Sequence, residues 1–156
     1  MKQTILKRNS IIILLLFILS LVATSCTNDF ELQDEGDWAK LCTLWGTPSA
    51  KVRNMMKTYT QLSSSSGVIV YKGKNDSDVV SYKFVNDSLC ASMVVMKSDI
   101  TSISEIRKSF DNYESLGEYN ANELFVNGKE LVTIKKYLQN DMEYIVVGYV
   151  PFQSHN

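Results

Sequence analysis

With 156 residues and a formal net charge of −1, the chain is long enough for one ordinary domain. The near-neutral balance hides three unlike parts: residues 1–26 hold three bases and no acid, and residues 27–37 hold five acids and no base. Residues 38–156 are left at about +1, a charge that offers no basic field and excludes a nucleic-acid partner.

Residues 1–26, MKQTILKRNSIIILLLFILSLVATSC, have the layout of an export signal. Lys2, Lys7 and Arg8 form a positive start, and residues 11–19 form an apolar run. Ala23, Thr24 and Ser25 supply the small side chains that a signal peptidase needs beside its cut. Ser20, Thr24 and Ser25 interrupt the run before it reaches the roughly 20 residues of a membrane-crossing helix. The order of charge, apolar run, small residues and Cys26 resembles a bacterial lipoprotein signal, with Ala23 where such lipoboxes usually carry Leu. The resemblance implies a signal peptide of residues 1–25 and an acylated Cys26, palmitate included, as the mature N-terminus. An ordinary secretory signal is the alternative. Each buried methylene contributes about 0.8 kcal/mol, so several acyl chains hold a domain on a membrane almost permanently.

Residues 26–37 then read as the lipidated cysteine and an extended, solvated tether, because low hydrophobicity and charge of one sign oppose packing. The acids Asp29, Glu31, Asp34 and Glu35, with Asp37 behind them, also resemble the acidic export signal of Bacteroidetes-type lipoproteins. That resemblance implies the outer face of the outer membrane. A plain spacer, with the domain on the periplasmic side, is the alternative.

Residues 38–156 form a single predicted domain. Gly46-Thr47-Pro48 opens the first helix: Thr47 suits the N-cap and Pro48 the first helical position. Val52, Met55, Met56, Tyr59 and Leu62 follow at helical spacing. Strands are predicted at 68–71, 79–85 and 89–96, separated by turn clusters at 73–78 and at Asn86-Asp87-Ser88. Ser102-Ile103-Ser104-Glu105 is a capping box for a second helix with the stripe Ile103, Ile106, Phe110 and Tyr113. Further strands, at 123–126, 131–138 and 142–150, are joined by Asn127-Gly128, a strong hairpin signal, and by Gln139-Asn140-Asp141.

The two helices superpose: Val52, Arg53, Met56 and Tyr59 match Ile106, Arg107, Phe110 and Tyr113. Self-similarity at about 54 residues predicts a tandem α-β-β-β duplication over residues 46–97 and 100–151. The expected fold is α+β, an antiparallel sheet of about six strands with two helices on one face. Tandem helix-plus-strands repeats, with the Gly46-Thr47-Pro48 helix start, are similar to the β-lactamase-inhibitor-protein-like fold of small envelope inhibitors and assembly lipoproteins. The resemblance implies a protein-binding role and carries over no site residue.

Strict alternation assigns the sheet faces. Tyr82, Phe84, Leu89, Ala91, Met93 and Val95, with Met142, Tyr144 and Val146, are expected to meet the helices. Ser81, Lys83, Cys90, Ser92, Val94, Met96, Glu143, Ile145, Val147 and Tyr149 are expected on the other face. That face is too apolar to stay wet, so it is covered by residues 38–45 or is a binding surface of Trp45, Val94, Met96, Ile145, Val147 and Tyr149.

Chemistry finds little to use. Cys42 and Cys90 could form a disulfide in an oxidising envelope, or they are two small buried residues. The one histidine, His155, is penultimate, so no serine triad, activated thiol or zinc set is expected, and no metal or cofactor. Asp76 and Asp78 lack the Gly and Glu of a calcium loop. Asp87-Ser88-Leu89 resembles a bacterial O-glycosylation acceptor, which makes Ser88 a candidate for modification. The expected protein is therefore a non-enzymatic envelope module with a protein partner. The alternative is a surface glycan binder that uses Trp38, Trp45 and tyrosines.

Overall fold

In a computed structural model, which describes residues 33–34, 40–99 and 101–152, two short helices pack on one eight-stranded antiparallel sheet. The export signal, Cys26, Asp29, Glu31, Glu35, Trp38 and His155 lie outside those residues. A small ladder comes first, β1 (Gln33–Asp34) against β2 (Lys40–Leu41). Gln33 and Asp34, within the expected tether, are the part of it that pairs with another segment.

Helix α1 (Ser49–Met55) is followed by β3 (Gln61–Ser65), β4 (Val68–Lys72), β5 (Val79–Val85) and β6 (Ser88–Lys97). Helix α2 (Ile103–Lys108) is followed by β7 (Glu114–Tyr119), β8 (Asn122–Val126), β9 (Glu130–Gln139) and β10 (Met142–Pro151). The sheet order is β3-β4-β5-β6-β10-β9-β8-β7, so β6 and β10 meet in the middle. The strand count is eight where about six were expected, because β3 and β7 are the two edges. Every side chain of both is exposed, so neither carries the apolar alternation that marks a strand.

Short turns dictate much of this layout. Ser66-Gly67, Asn86-Asp87, Asn120-Ala121 and Asn140-Asp141 all have positive φ and close two-residue hairpins. Paired positive φ matches the right-handed twist of the flanking strands, which favours such turns. Asn127-Gly128 serves differently. Its connection is longer, and the Asn127 side chain accepts from the backbone N–H groups of Lys129 and Glu130.

Helix α1 is shorter than its stripe predicted. It ends near Met56, and Leu62 lies on β3 with 53% of its surface exposed. Pro48, not Thr47, is the N-cap residue; the Thr47 hydroxyl donates to the Leu44 carbonyl at 2.6 Å. Asp87, at the β5–β6 turn, accepts from the Ser49 N–H at 3.1 Å instead, and the Ser49 hydroxyl together with that N–H holds its carboxyl below the usual carboxylate range. The predicted capping box of α2 is present in both directions, Ser102 to Glu105 and back.

A single apolar core fills the space between the helices and one sheet face. Val52 and Met56 meet Ile106 and Phe110 there, over Tyr82, Val94, Met96, Ile145, Val147 and Tyr149. The buried Tyr82 hydroxyl accepts from the Cys42 N–H and lies 3.5 Å from the Met56 sulfur. Leu41 and Cys42 also belong to this core, so the segment behind β2 lies on the helix side and does not cover the opposite face as expected.

Candidate interaction surface

The expected assignment of faces fails at one residue. Lys83 pairs with Ala91 while Phe84 pairs with Leu89, which leaves Cys90 as an extra residue in β6. A one-residue bulge shifts every later side chain of the strand to the other face. Leu89 keeps its expected place, but Ser92, Val94 and Met96 turn to the helices, and Ala91, Met93 and Val95 turn away. Val94, Met96, Ile145, Val147 and Tyr149, expected as a binding surface, are fully buried in the core. Trp45 is partly buried against the same core, with its indole N–H enclosed. None of these six can be an open binding surface.

The face they vacate has a different composition. Register places Val70, Ser81, Met93, Gly148, Thr133 and Leu124 in one row across β4, β5, β6, β10, β9 and β8. The next row reads Lys72, Val79, Val95, Val146 and Lys135. Beyond it Lys97, Tyr144 and Tyr137 stand side by side, with the two tyrosine rings stacked at 5.3 Å. On the other flank lie Val68, Lys83 and Ala91.

Val68, Val70, Val79, Val95 and Val146 are half-buried by their neighbours, and Met93 is 38% exposed. Small residues surround Met93. Val68, Ser81, Lys83 and Ala91 line a shallow depression of about 250 Å³ beside it, and on its other side the Thr133 side chain covers Gly148, its hydroxyl donating to the Gly148 carbonyl at 3.5 Å. Both described helices join the core on the far side of the sheet, so among the described residues this face carries no helix.

Its charge is mainly of one sign. Lys72, Lys83, Lys97 and Lys135 occupy open-face positions on β4, β5, β6 and β9, and no Asp or Glu does on β4, β5, β6, β8, β9 or β10; Glu114, on the edge strand β7 beside Val126, is the one acid in the open-face register of this sheet. Lys72 pairs with the exposed Asp76 at 2.8 Å. Among the described residues no carboxylate pairs with Lys83, Lys97 or Lys135. The other ion pairs, Arg107 with Glu123 and Lys136 with Glu143, lie on the helix-side register.

The remaining candidates are not brought together. Cys42 and Cys90 are both free thiols. Cys42 is buried in the core, where burial pushes its thiol up, and Cys90 at the bulge lies 3.3 Å from the Lys83 carbonyl. The two thiols do not pair in this structure: Cys42 lies in the core, and Cys90, next to the inward-facing Leu89, lies outside it. Ser88 is exposed beside its hairpin turn, with the preceding Asp87 engaged by Ser49. Among the described residues no group of three or more His, Cys, Asp and Glu could hold a metal. None of their helices is long and apolar enough to cross a membrane.

Asp78, like Glu130, is a buried acid, at 1% exposed. Its carboxylate accepts from the backbone and side-chain nitrogens of Asn75 at 3.3 and 2.8 Å. Burial outweighs those bonds and raises its pKa above 3.8. A carboxyl with a raised folded-state pKa takes up a proton on folding, so its contribution is complete below the unfolded value and is lost as pH rises through the folded one. Asp78→Asn keeps an acceptor for Asn75 and removes the charge. It is expected to raise the urea midpoint at pH 7 but not at pH 3.5, as urea titrations at the two pH values would read.

Neither protein-family models, curated proteins nor solved structures match this chain. The candidate surface therefore rests on the residues described above.

Proposed function

We propose that the chain is a lipid-anchored protein of the cell envelope, held at the outer membrane through Cys26, whose domain is a non-catalytic protein-binding module. The observation that carries the binding reading is the helix-free sheet face, a mainly apolar surface on a domain whose core is filled from the other side. Such a surface on a small soluble domain marks an interaction site. The order of Lys2, Lys7, Arg8, the apolar run and Cys26 supports the anchor, and the acids that follow support exposure at the cell surface.

The two halves read as a tandem duplication, now of one helix plus four strands. Val94 and Val147 pair at the centre of the sheet. Both edge strands carry a bulge at the same place, by Leu62 and by Leu116. A buried acid precedes or opens the third strand of each half, Asp78 and Glu130. A glycan-binding role has less support: Trp45 packs on the core, and Tyr137 and Tyr144 stack on each other instead of presenting free rings.

Photo-crosslinking in cells tests the reading. A photoreactive amino acid at Met93 is expected to give a discrete protein adduct in the membrane fraction. The same group at Lys108, exposed on α2, is expected to give none. No adduct from Met93, or equal adducts from both positions, would sink the proposal.

A further inference from the structure

We infer that the open sheet face takes an acidic polypeptide segment, one that presents an apolar cluster flanked by carboxylates; this rests on the protein-binding reading above. The centre of the face is apolar, with Val79, Val95 and Val146 in one row and Met93 beside a depression of about 250 Å³. Around it stand Lys83, Lys97 and Lys135, three cations without an acidic partner among the described residues. The fourth lysine, Lys72, is bonded to a fully exposed turn aspartate.

Charge of one sign around an apolar patch selects for the opposite sign on the partner and rejects like charge, so it sets specificity more than raw affinity. A partner carboxylate would meet ammonium groups that no described residue of this chain neutralises. A neutral apolar partner would leave three lysines beside its rim with nothing to bond. A membrane surface fits less well. The small residues Ser81, Ala91, Gly148 and Thr133 occupy much of its centre, and a membrane-inserting surface needs many protruding apolar side chains.

The probe is a fluorescent synthetic peptide with a Leu-Val-Leu centre and two glutamates on each side, added to the full chain in non-ionic detergent. Saturable binding is expected. It should weaken at least tenfold when glutamine replaces the glutamates, and at least tenfold in the triple variant Lys83→Glu, Lys97→Glu, Lys135→Glu with its circular dichroism unchanged. Equal binding of the two peptides, or unchanged binding by the triple variant, would overturn the inference.

Three other occupants have their own signatures, and each would also overturn it. Anionic phosphatidylglycerol vesicles would bind the chain while the peptide does not. A second copy would give a dimer in sedimentation that Met93→Glu dissolves. The chain's own acids at 27–37 would give tenfold tighter peptide binding once Asp29, Glu31, Asp34, Glu35 and Asp37 are neutralised. The Met93 adduct separates the two proposals. If it persists in the triple variant, the acidic partner fails and the binding module stands; if the wild type gives no adduct, the module itself fails.

Discussion

Met96→Ala is expected to destabilise the domain by about 2–5 kcal/mol, whereas Met93→Ala costs less than about 1 kcal/mol. The two methionines lie three residues apart on β6, and strict alternation already puts them on opposite faces. The contrast decides which face is the core. Met96 is fully buried against Ile145, and truncating it removes apolar contacts and leaves a cavity. Met93 is 38% exposed beside small neighbours, and truncation there only widens a surface depression.

Aspartate sharpens the test, since a buried carboxylate without a partner costs several kcal/mol or blocks folding. Val94→Asp is expected to yield unfolded chain, and Val95→Asp a folded domain with a weakened Met93 adduct. Urea titration followed by circular dichroism reads the stabilities. A costly Met93→Ala with a mild Met96→Ala would show the sheet in the opposite register.

Much of the helix–strand order was legible in the sequence because local signals carried it. Ser102 and Glu105 marked the start of α2, and Asn86-Asp87 and Asn140-Asp141 marked hairpins, through side-chain and backbone preferences that act within a few residues. The edge strands were not legible. Residues 61–65, QLSSS, bury nothing, and they are strands only because β4 offers them hydrogen bonds. Leu62 fell in register with the Val52 stripe by chance of spacing, and nothing local said that the helix stops at Met55.

The binding face was misread for a sharper reason. In the second half Met142, Tyr144 and Val146 compete with Ile145, Val147 and Tyr149 for the core, and both sets are apolar. Parity could be fixed only from β6, where Cys90, a small apolar residue with ordinary strand propensity, gives no sign that it is extra. The pairing of Val94 with Val147 then carried the error across the centre of the sheet. Of the lysines, alternation places Lys83 on the open face correctly but sends Lys97 to the helix side with Val95, and a row of valines bounded by Lys72 and Lys135 is a signal that composition alone does not reveal.

The bulge makes a prediction of its own about chain length. Deleting Cys90 is expected to leave the domain folded, with a loss within the roughly 0.5–3 kcal/mol of ordinary single changes. Without Cys90, Leu89 faces the core, Ala91 faces out and Ser92 faces the core, a regular alternation opposite Phe84, Lys83 and Tyr82. Every later pair of β6 with β5 and β10 keeps its partner. The Lys83 carbonyl loses only its contact with the Cys90 thiol.

Deleting Val146, in a strand that carries no bulge, has no such escape. Val147 and Tyr149 would turn outward, and Gly148 and Val150 would turn into a core that holds Tyr82, Val94 and Ile134. Slipping the strand by one residue to recover Val147 would break the turn at Asn140-Asp141, which fixes the register. That variant is expected to be unfolded at all temperatures. Thermal melts of the two deletions in parallel check this, since a regular strand that did not need its bulge tolerates the loss of Cys90 alone. Two equally stable deletions would mean that the strands are free to slip, and with them the pattern of the open face.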